Sequence, residues 1–264
     1  MRVTADTRDA YEAMAPHYDL FTADHEHEPW TATLERVAID AGLRGRRLLD
    51  VACGTGKSFL PFLARGYEVT ACDISPAMVA IAAAKCEGHG VEVSVQDMRA
   101  LPRLGEFDLV CCLSDALNYL LEPDELHDAL HGMARNLAPG GVLLFDLNTL
   151  RAYRTFFAGR TVVQDDGRVL VWEGRAAPDA ASGTIVDASL EALTRLPSGG
   201  WERTEVLHRQ RHHAEPVVRA ALADAGLAAD PPFGVSLDGS LSRPLAEARH
   251  TKALYVANHE RRRR

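Results

Sequence analysis

No apolar run in the 264 residues approaches the roughly 18–20 positions that a bilayer span needs. The opening stretch lacks an apolar core behind a basic end, so no secretory signal is read there and a cytoplasmic location is expected. Cysteine is scarce. Cys53, Cys72, Cys86, Cys111 and Cys112 are odd in number and sit in or beside apolar runs, which argues for buried thiols and against a disulfide framework. The adjacent Cys111-Cys112 has no CxxC spacing, so neither a zinc ribbon nor a redox pair is indicated, and no metal is expected. Positive charge is also in short supply: 29 Lys and Arg stand against 37 Asp and Glu, a formal net charge of −8. Gripping a nucleic-acid backbone relies on many cationic contacts that displace counterions, so nucleic-acid partners are excluded while a nucleotide-sized ligand is not. No internal repeat is present, and 47% hydrophobic with 25% charged residues is the balance of an ordinary globular chain able to bury a core. That length suits one α/β domain with an insertion or cap better than two full domains.

Between about 45 and 148 short β-branched runs alternate with longer helical patterns, the signature of a parallel sheet covered by helices. Strands are expected at Arg47–Ala52, Tyr67–Cys72, Val91–Val95, Phe107–Leu113 and Val142–Leu147. The unbroken apolar run from Phe107 marks a central strand with both faces covered. Helices are expected at Ser58–Ala64, after the Ser75-Pro76 start signal, and from Pro123 up to a stop at Pro139-Gly140-Gly141. From about 160 to 213 the texture changes to alternating polar and apolar residues between turn signals such as Asp165-Asp166-Gly167, which predicts three or four antiparallel strands. A helix at Glu215–Gly226 and a closing strand at Thr251–Asn258 follow, and Arg261–Arg264 reads as a solvated, disordered tail.

The chemistry concentrates in Asp50-Val51-Ala52-Cys53-Gly54-Thr55-Gly56-Lys57-Ser58. A phosphate-binding P-loop would end in this Gly-Lys-Ser but needs a glycine where Val51 stands. A dinucleotide fingerprint needs a third glycine where Phe59 stands. An acidic strand end followed by Ala-Cys-Gly-Thr-Gly instead resembles motif I of class I S-adenosylmethionine-dependent methyltransferases. Two glycines let the backbone approach a ligand closely and turn into a helix whose free N–H groups favour an anion, which in that family is the methionine carboxylate.

The resemblance extends along the chain. It implies that Asp73, which follows Asp50 by 23 residues, accepts hydrogen bonds from the ribose hydroxyls. Ile74 and Met78 would flank the adenine, Asp97 and Met98 would receive its amino group and cover the ring, and Leu113-Ser114-Asp115 would face the sulfonium and the acceptor. Tyr11–Tyr18, Phe107–Leu120 and His208–Gly226 look like small-molecule methyltransferases with a β-sheet lid, including amino-sugar N,N-dimethyltransferases. The implied fold is a Rossmann-like, mostly parallel seven-stranded sheet with helices on both faces. A helical cap over 1–40 would precede a cofactor-binding domain over 41–264, with the antiparallel lid inserted at about 160–213. Tyr18 and Trp30 would close over the cofactor alongside Asp50, Ala52, Gly54, Thr55 and Gly56. Tyr119 would stand where the sugar enzymes have a histidine near the acceptor.

Methyl transfer from a sulfonium expels a neutral leaving group, so alignment and exclusion of water dominate and a strong base is optional. The catalytic candidates are Tyr119, Asp115 and His17, with the lid histidines His208 and His212 as further proton acceptors. Tyr119, Trp172, His208 and Arg211 are the candidates to hold a small-molecule acceptor, to be methylated at N or O and less readily at C, in specialised metabolism such as antibiotic biosynthesis. The plainer readings are that Tyr119 packs over the cofactor, that Trp172 and Trp201 belong to the lid core, and that His212-His213 end an exposed strand. Arg209 and Arg211 either hold an anionic acceptor group or pair within the lid. His25-Glu26-His27-Glu28 reads as solvated residues, not a metal cluster. A homodimer through the lid, a P-loop or NAD-binding protein, and a non-catalytic cofactor-binding protein stay open.

Overall fold

Leu48, Leu49 and Val51 are all buried in β1 (Arg47–Val51), so this strand is covered on both faces and must lie inside a sheet. The computed structural model, which describes residues 6–259, places it there. β2 (Glu68–Asp73) and β4 (Phe107–Cys112) flank it in parallel, β3 (Glu92–Val95) extends the β2 side and β5 (Leu137–Asn148) the β4 side. β13 (Lys252–His259) runs antiparallel to β5. β10 (Leu227–Ala229) and β11 (Phe233–Val235) pair with different halves of the far edge of β13 and so share one lane. The expected seven strands are therefore present as seven lanes, and β12 (Leu241–Ser242) adds a short outer edge against β11.

The helices start where the sequence says they should. α4 (Pro76–Lys85) is capped by Ser75, whose hydroxyl accepts the Met78 N–H at 3.2 Å. α3 (Leu60–Ala64) is shorter than expected because Ala52–Phe59 is spent on turns. α5 (Pro123–Ala134) ends before Pro139-Gly140-Gly141, with Arg135 as its C-cap, and the side chain of Asn136 just beyond accepts the Leu104 N–H and donates to the Gly132 carbonyl. The three residues Pro139-Gly140-Gly141 do not stop that helix. They lie inside β5 as an irregularity, where register jumps from Phe107 opposite Leu137 to Leu109 opposite Val142.

α1 (Thr7–Phe21) and α2 (His27–Asp40) form the N-terminal cap, and Glu12 ties α1 to the start of α4 by accepting from Ser75 Oγ at 2.7 Å and the Ala77 N–H at 3.0 Å. After α6 (Leu150–Thr155) the chain makes the lid, with β6 (Arg160–Gln164), β7 (Arg168–Gly174), β8 (Ile185–Arg195) and β9 (Trp201–Arg211) in sequential antiparallel order. Its inner face buries Leu170, Trp172, Val186, Leu190 and Val206 against Ala10 and Met14 of α1 and against Tyr153 and Phe157. Each buried aliphatic side chain contributes roughly 1.5–3 kcal/mol. Outer-face pairs such as Arg209–Asp187 are worth about 0–1 kcal/mol, so packing on α1 seats the lid. α7 (Glu215–Asp224) leads into β10.

Two expectations change and one open alternative is resolved. His212 and His213 are buried, not exposed: His212 accepts the Gly183 N–H and faces Glu247 at 3.3 Å. Trp201 is 53% exposed at the outer end of β9, so only Trp172 is lid core. Arg209 pairs in two-pronged fashion with Asp187, which settles it as a lid pair. All five cysteines are buried and free. The tail Arg261–Arg264 lies outside the described residues. No described helix is long and apolar enough to cross a membrane.

Candidate active site

Open α/β sheets bind ligands beyond the carboxyl ends of their parallel strands, and there the turn after β1 takes an unusual path. Ala52 (φ 59°), Gly54 (φ 54°) and Gly56 (φ 86°) all have left-handed backbone. The turn is held from three sides. Asp73, at the end of β2, accepts the Gly54 N–H at 2.8 Å and the Ser75 N–H at 2.9 Å. Beneath, buried Asp50 accepts from Ser58 Oγ at 2.5 Å, its Oδ1 has no partner among the described residues, and burial pushes its carboxyl up to about 7. Above, Thr55 Oγ1 donates to Asp19 at 2.6 Å, and the Lys57 ammonium donates to the Thr22 carbonyl at 2.8 Å. The end of α1 is thereby fastened over the turn.

The resulting cleft spans about 630 Å³ of space, the solvent at its open mouth included. The β1 turn contributes Ala52, Cys53, Gly54, Lys57 and Ser58, the end of β2 Asp73 and Ile74, and the segment after β3 Met98. The end of β4 and the helical turn 116–119 supply Leu113, Ser114, Ala116 and Tyr119, while the cap supplies Thr7, Tyr11, Tyr18 and His27. Tyr11 and Tyr18, two helical turns apart on α1, put both rings on one face. The Tyr11 ring meets Tyr119 edge-on at 5.3 Å and His208 at 5.5 Å. The Tyr119 hydroxyl and His208 Nδ1 are 3.0 Å apart, joining cleft to lid. Burial pushes the His208 imidazole down to about 4, so it is neutral at physiological pH, and its Nε2 has no partner among the described residues. Burial also raises the phenols of Tyr11, Tyr18 and Tyr119, which stay protonated.

Of the sequence candidates, Tyr18, Ala52, Gly54, Asp73, Ile74, Met98, Leu113, Ser114 and Tyr119 come together around the cleft. The others lie behind it or away from it. Thr55 and Asp50 brace the turn, Gly56 packs so tightly that a Cβ would sit 2.9 Å from the Phe59 ring, and Met78 is buried within α4. Asp97 is committed to Arg99 through contacts of 2.6–3.0 Å, and Trp30 packs against the core under α2. Asp115 borders the cleft but accepts from Lys252 at 2.6 Å and Gln210 at 2.7 Å. Trp172 stacks on Phe156 at 4.9 Å and backs His208 at 5.4 Å. Arg211 donates to the Leu121 carbonyl at 2.6 Å. His17 is buried outside the cleft, with Arg168 and Glu202 of the lid as its charged neighbours.

Sequence reasoning gave no role to Thr7, Tyr11 or Ala116, quoted Cys53, Lys57 and Ser58 in the glycine motif without assigning them to the site, and read His27 as solvated. The seven-residue spacing of Tyr11 and Tyr18 was the available signal for Tyr11. His27 is half-buried at the cleft with an unpartnered Nε2, and burial lowers it to about 4.

A glycine turn beside an acidic strand end, at the carboxyl ends of parallel strands and under the N-terminal cap, is where doubly wound sheets bind nucleotide-like ligands. The comparisons with known proteins give the family. A family model described as a methyltransferase domain matches residues 48–141. A putative methyltransferase of Geobacillus sp. (strain WCH70) is 30% identical over 220 residues, 82% of this chain and 88% of that protein. The chain belongs to this methyltransferase family. The crystal structure of an S-adenosylmethionine-dependent methyltransferase from Clostridium acetobutylicum shares the fold, with a TM-score of 0.77 at 24% identity over 94% of this chain and 98% of that one. A sugar N-methyltransferase from Streptoalloteichus sp. superposes with a TM-score of 0.74 at 27% identity, covering 92% and 93% of the two chains.

Proposed function

We propose that the protein transfers a methyl group from S-adenosylmethionine to an amine nitrogen of a small-molecule acceptor, as a cytoplasmic enzyme of specialised metabolism. The reading is carried by one observation: the cleft joins the Gly54–Asp73 cradle to the Tyr11–Tyr119 pair without interruption.

The residues fit the donor. Among the described residues Asp73 has no cation partner, and each of its oxygens, already accepting one backbone N–H, keeps a lone pair for a ribose hydroxyl. Gly54 leaves open the space that a side chain would take, with the nearest neighbour of a Cβ being the Tyr18 ring at 3.6 Å. Ile74 and Met98 offer apolar cover to a planar base. When bound, S-adenosylmethionine supplies an electrophilic methyl group on a sulfonium. The chain's part is to align the acceptor and keep water out, and positioning of this kind contributes on the order of 7–11 kcal/mol. Tyr11 and Tyr119 orient the acceptor through neutral hydroxyls.

The acceptor end of the cleft favours nitrogen over oxygen. A hydroxyl acceptor needs a base beside it, but Leu113, Ser114, Ala116 and the two protonated phenols supply none, burial holds the His27 and His208 imidazoles down at about 4 and so makes them weak bases, and the Asp115 carboxylate is spent on Lys252 and Gln210. An amine needs only to shed its proton to solvent before attack. The relative from Streptoalloteichus, a sugar N-methyltransferase, points the same way, as does a net charge of −8 against a nucleic-acid acceptor.

Thermal shift with S-adenosylhomocysteine, ATP and NAD tests the donor, since a ligand that binds only the folded state raises its stability. Stabilisation by S-adenosylhomocysteine alone is expected, and stabilisation by ATP or NAD alone would refute the reading. Radiolabelled methyl transfer to paired amine and alcohol panels tests the acceptor. Turnover confined to alcohols would refute the amine.

A further inference from the structure

Ser114 (φ 59°) and Asp115 (φ 54°) are consecutive non-glycine residues in the left-handed region, at the point where β4 enters the cleft. Both of their N–H groups are claimed by one carboxylate. Asp146, in β5 and almost fully buried, accepts from Ser114 at 2.6 Å through Oδ1 and from Asp115 at 3.1 Å through Oδ2. The ammonium of Lys252, from the first position of β13, then bridges Asp146 Oδ2 and Asp115 Oδ1, each at 2.6 Å. Gln210 of the lid adds a bond to Asp115 Oδ2 at 2.7 Å. Burial by itself would lower the Lys252 pKa, and the two carboxylates more than reverse that, so the bridge is a charged one.

In a trans peptide the C=O points opposite to the N–H of the next residue. With the Ser114 and Asp115 N–H groups turned to Asp146, the Leu113 and Ser114 carbonyl oxygens are turned away from it. Leu113 and Ser114 line the cleft and Asp146 does not. We infer that Asp146 and Lys252 are positioning residues for methyl transfer, fixing the strained Ser114–Asp115 turn so that the Leu113 and Ser114 carbonyl oxygens face the transferring methyl group. This rests on the proposed use of S-adenosylmethionine. A methyl group leaving a sulfonium gains positive character on its hydrogens, and fixed carbonyl oxygens stabilise it through C–H···O contacts. Without Lys252, the Asp115 and Asp146 carboxylates repel and the turn relaxes.

The test is nuclear magnetic resonance of the full chain with S-adenosylmethionine carrying a 13C methyl group. In the wild type the bound methyl proton signal moves downfield from its free position. Lys252→Met binds the donor with affinity close to wild type but loses more than about half of that shift, and Lys252→Arg recovers it. A folded Lys252→Met protein that binds the donor with its methyl signal at the wild-type bound position overturns the inference. Asp146→Asn gives the same comparison should Lys252→Met fail to fold. On the wild type itself, Ser114 and Asp115 amides that exchange with solvent as fast as an open loop would also overturn it. A wild type that binds no S-adenosylmethionine refutes instead the donor assignment, so the two failures are distinct.

Discussion

Replacing Asp73 tests the cofactor cradle and the fold together, because the same two oxygens serve both. Asp73→Ala removes an acceptor for two ribose hydroxyls, and hydrogen bonds to a charged group are worth roughly 1.5–3 kcal/mol. At 1.4 kcal/mol per tenfold, losing even one of the two bonds should weaken S-adenosylhomocysteine binding about 10- to 150-fold, and losing both should weaken it further. The substitution also orphans the Gly54 and Ser75 N–H groups, and a buried unsatisfied donor costs about 1–3 kcal/mol, so the alanine variant should lose stability as well. Asp73→Asn separates the effects. Burial raises the Asp73 pKa against the pull of its backbone donors, so removing the charge relieves a desolvation cost. The asparagine variant should therefore be more stable than the alanine variant while losing affinity to a similar extent. Isothermal calorimetry with S-adenosylhomocysteine, paired with urea unfolding, reads both numbers. A folded asparagine variant binding within about twofold of wild type would remove Asp73 from the cradle, since even one charged hydrogen bond exceeds that.

The remaining predictions concern protonation and backbone strain. Asp50 titrates at about 7 in the fold against about 4 in the unfolded chain, so its contribution to stability is complete below pH 4 and fades as pH rises through 7. Asp50→Asn should then gain stability over wild type at pH 8 relative to pH 5, and a difference that does not change with pH refutes the assignment. His208, held at about 4 against about 6.5 when unfolded, has the opposite sign: stability is lost as pH falls below 6.5. About 2 kcal/mol should disappear by pH 5 in wild type and be retained by His208→Leu, measured by urea midpoints at the two pH values. Gly56→Ala should cost more stability than Gly54→Ala, because its Cβ would press on Phe59 at 2.9 Å whereas that of Gly54 meets only the Tyr18 ring at 3.6 Å. Calorimetry should rank donor affinity the other way, with Gly54→Ala the weaker binder, and the reverse order would place the ligand elsewhere.

The parallel half of the sheet could be read because each signal there is local. Continuous burial from Leu109 to Cys112 needs an unbroken apolar run, and the α4 start needs only Ser75 and Pro76. What misled was punctuation whose meaning depends on a distant partner. Pro139-Gly140-Gly141 reads as a helix stop, yet α5 has already closed at Arg135 and the three residues are absorbed as a bulge beside Phe107. His212 and His213 follow the alternating Arg209 and Arg211 and read as the exposed end of that strand, but Glu247, 35 residues later in the chain, covers His212. Trp201 looks like core by residue type, and only the register of β9 against β8, which sets it opposite Arg195, turns it outward.

The candidate site was legible where the ligand would meet the start of a strand loop and illegible where it is held in place. Gly54 and Asp73 announce themselves by type and position. Ala52, Ser114 and Asp115 do not, although they are the non-glycine residues with positive φ among those described, and all three border the cleft or line it. A left-handed residue costs roughly 1–2 kcal/mol, and nothing about Ala or Ser advertises that conformation. The strain persists only if the surroundings over-determine it. Two N–H bonds to the Asp146 carboxylate, at roughly 1.5–3 kcal/mol each, are enough to offset it at Ser114 and Asp115. That carboxylate lies more than thirty residues away, and its own charge is balanced by Lys252, more than a hundred residues further on. The geometry at the reacting centre is therefore fixed by strands β5 and β13, whose sequences carry no motif of their own.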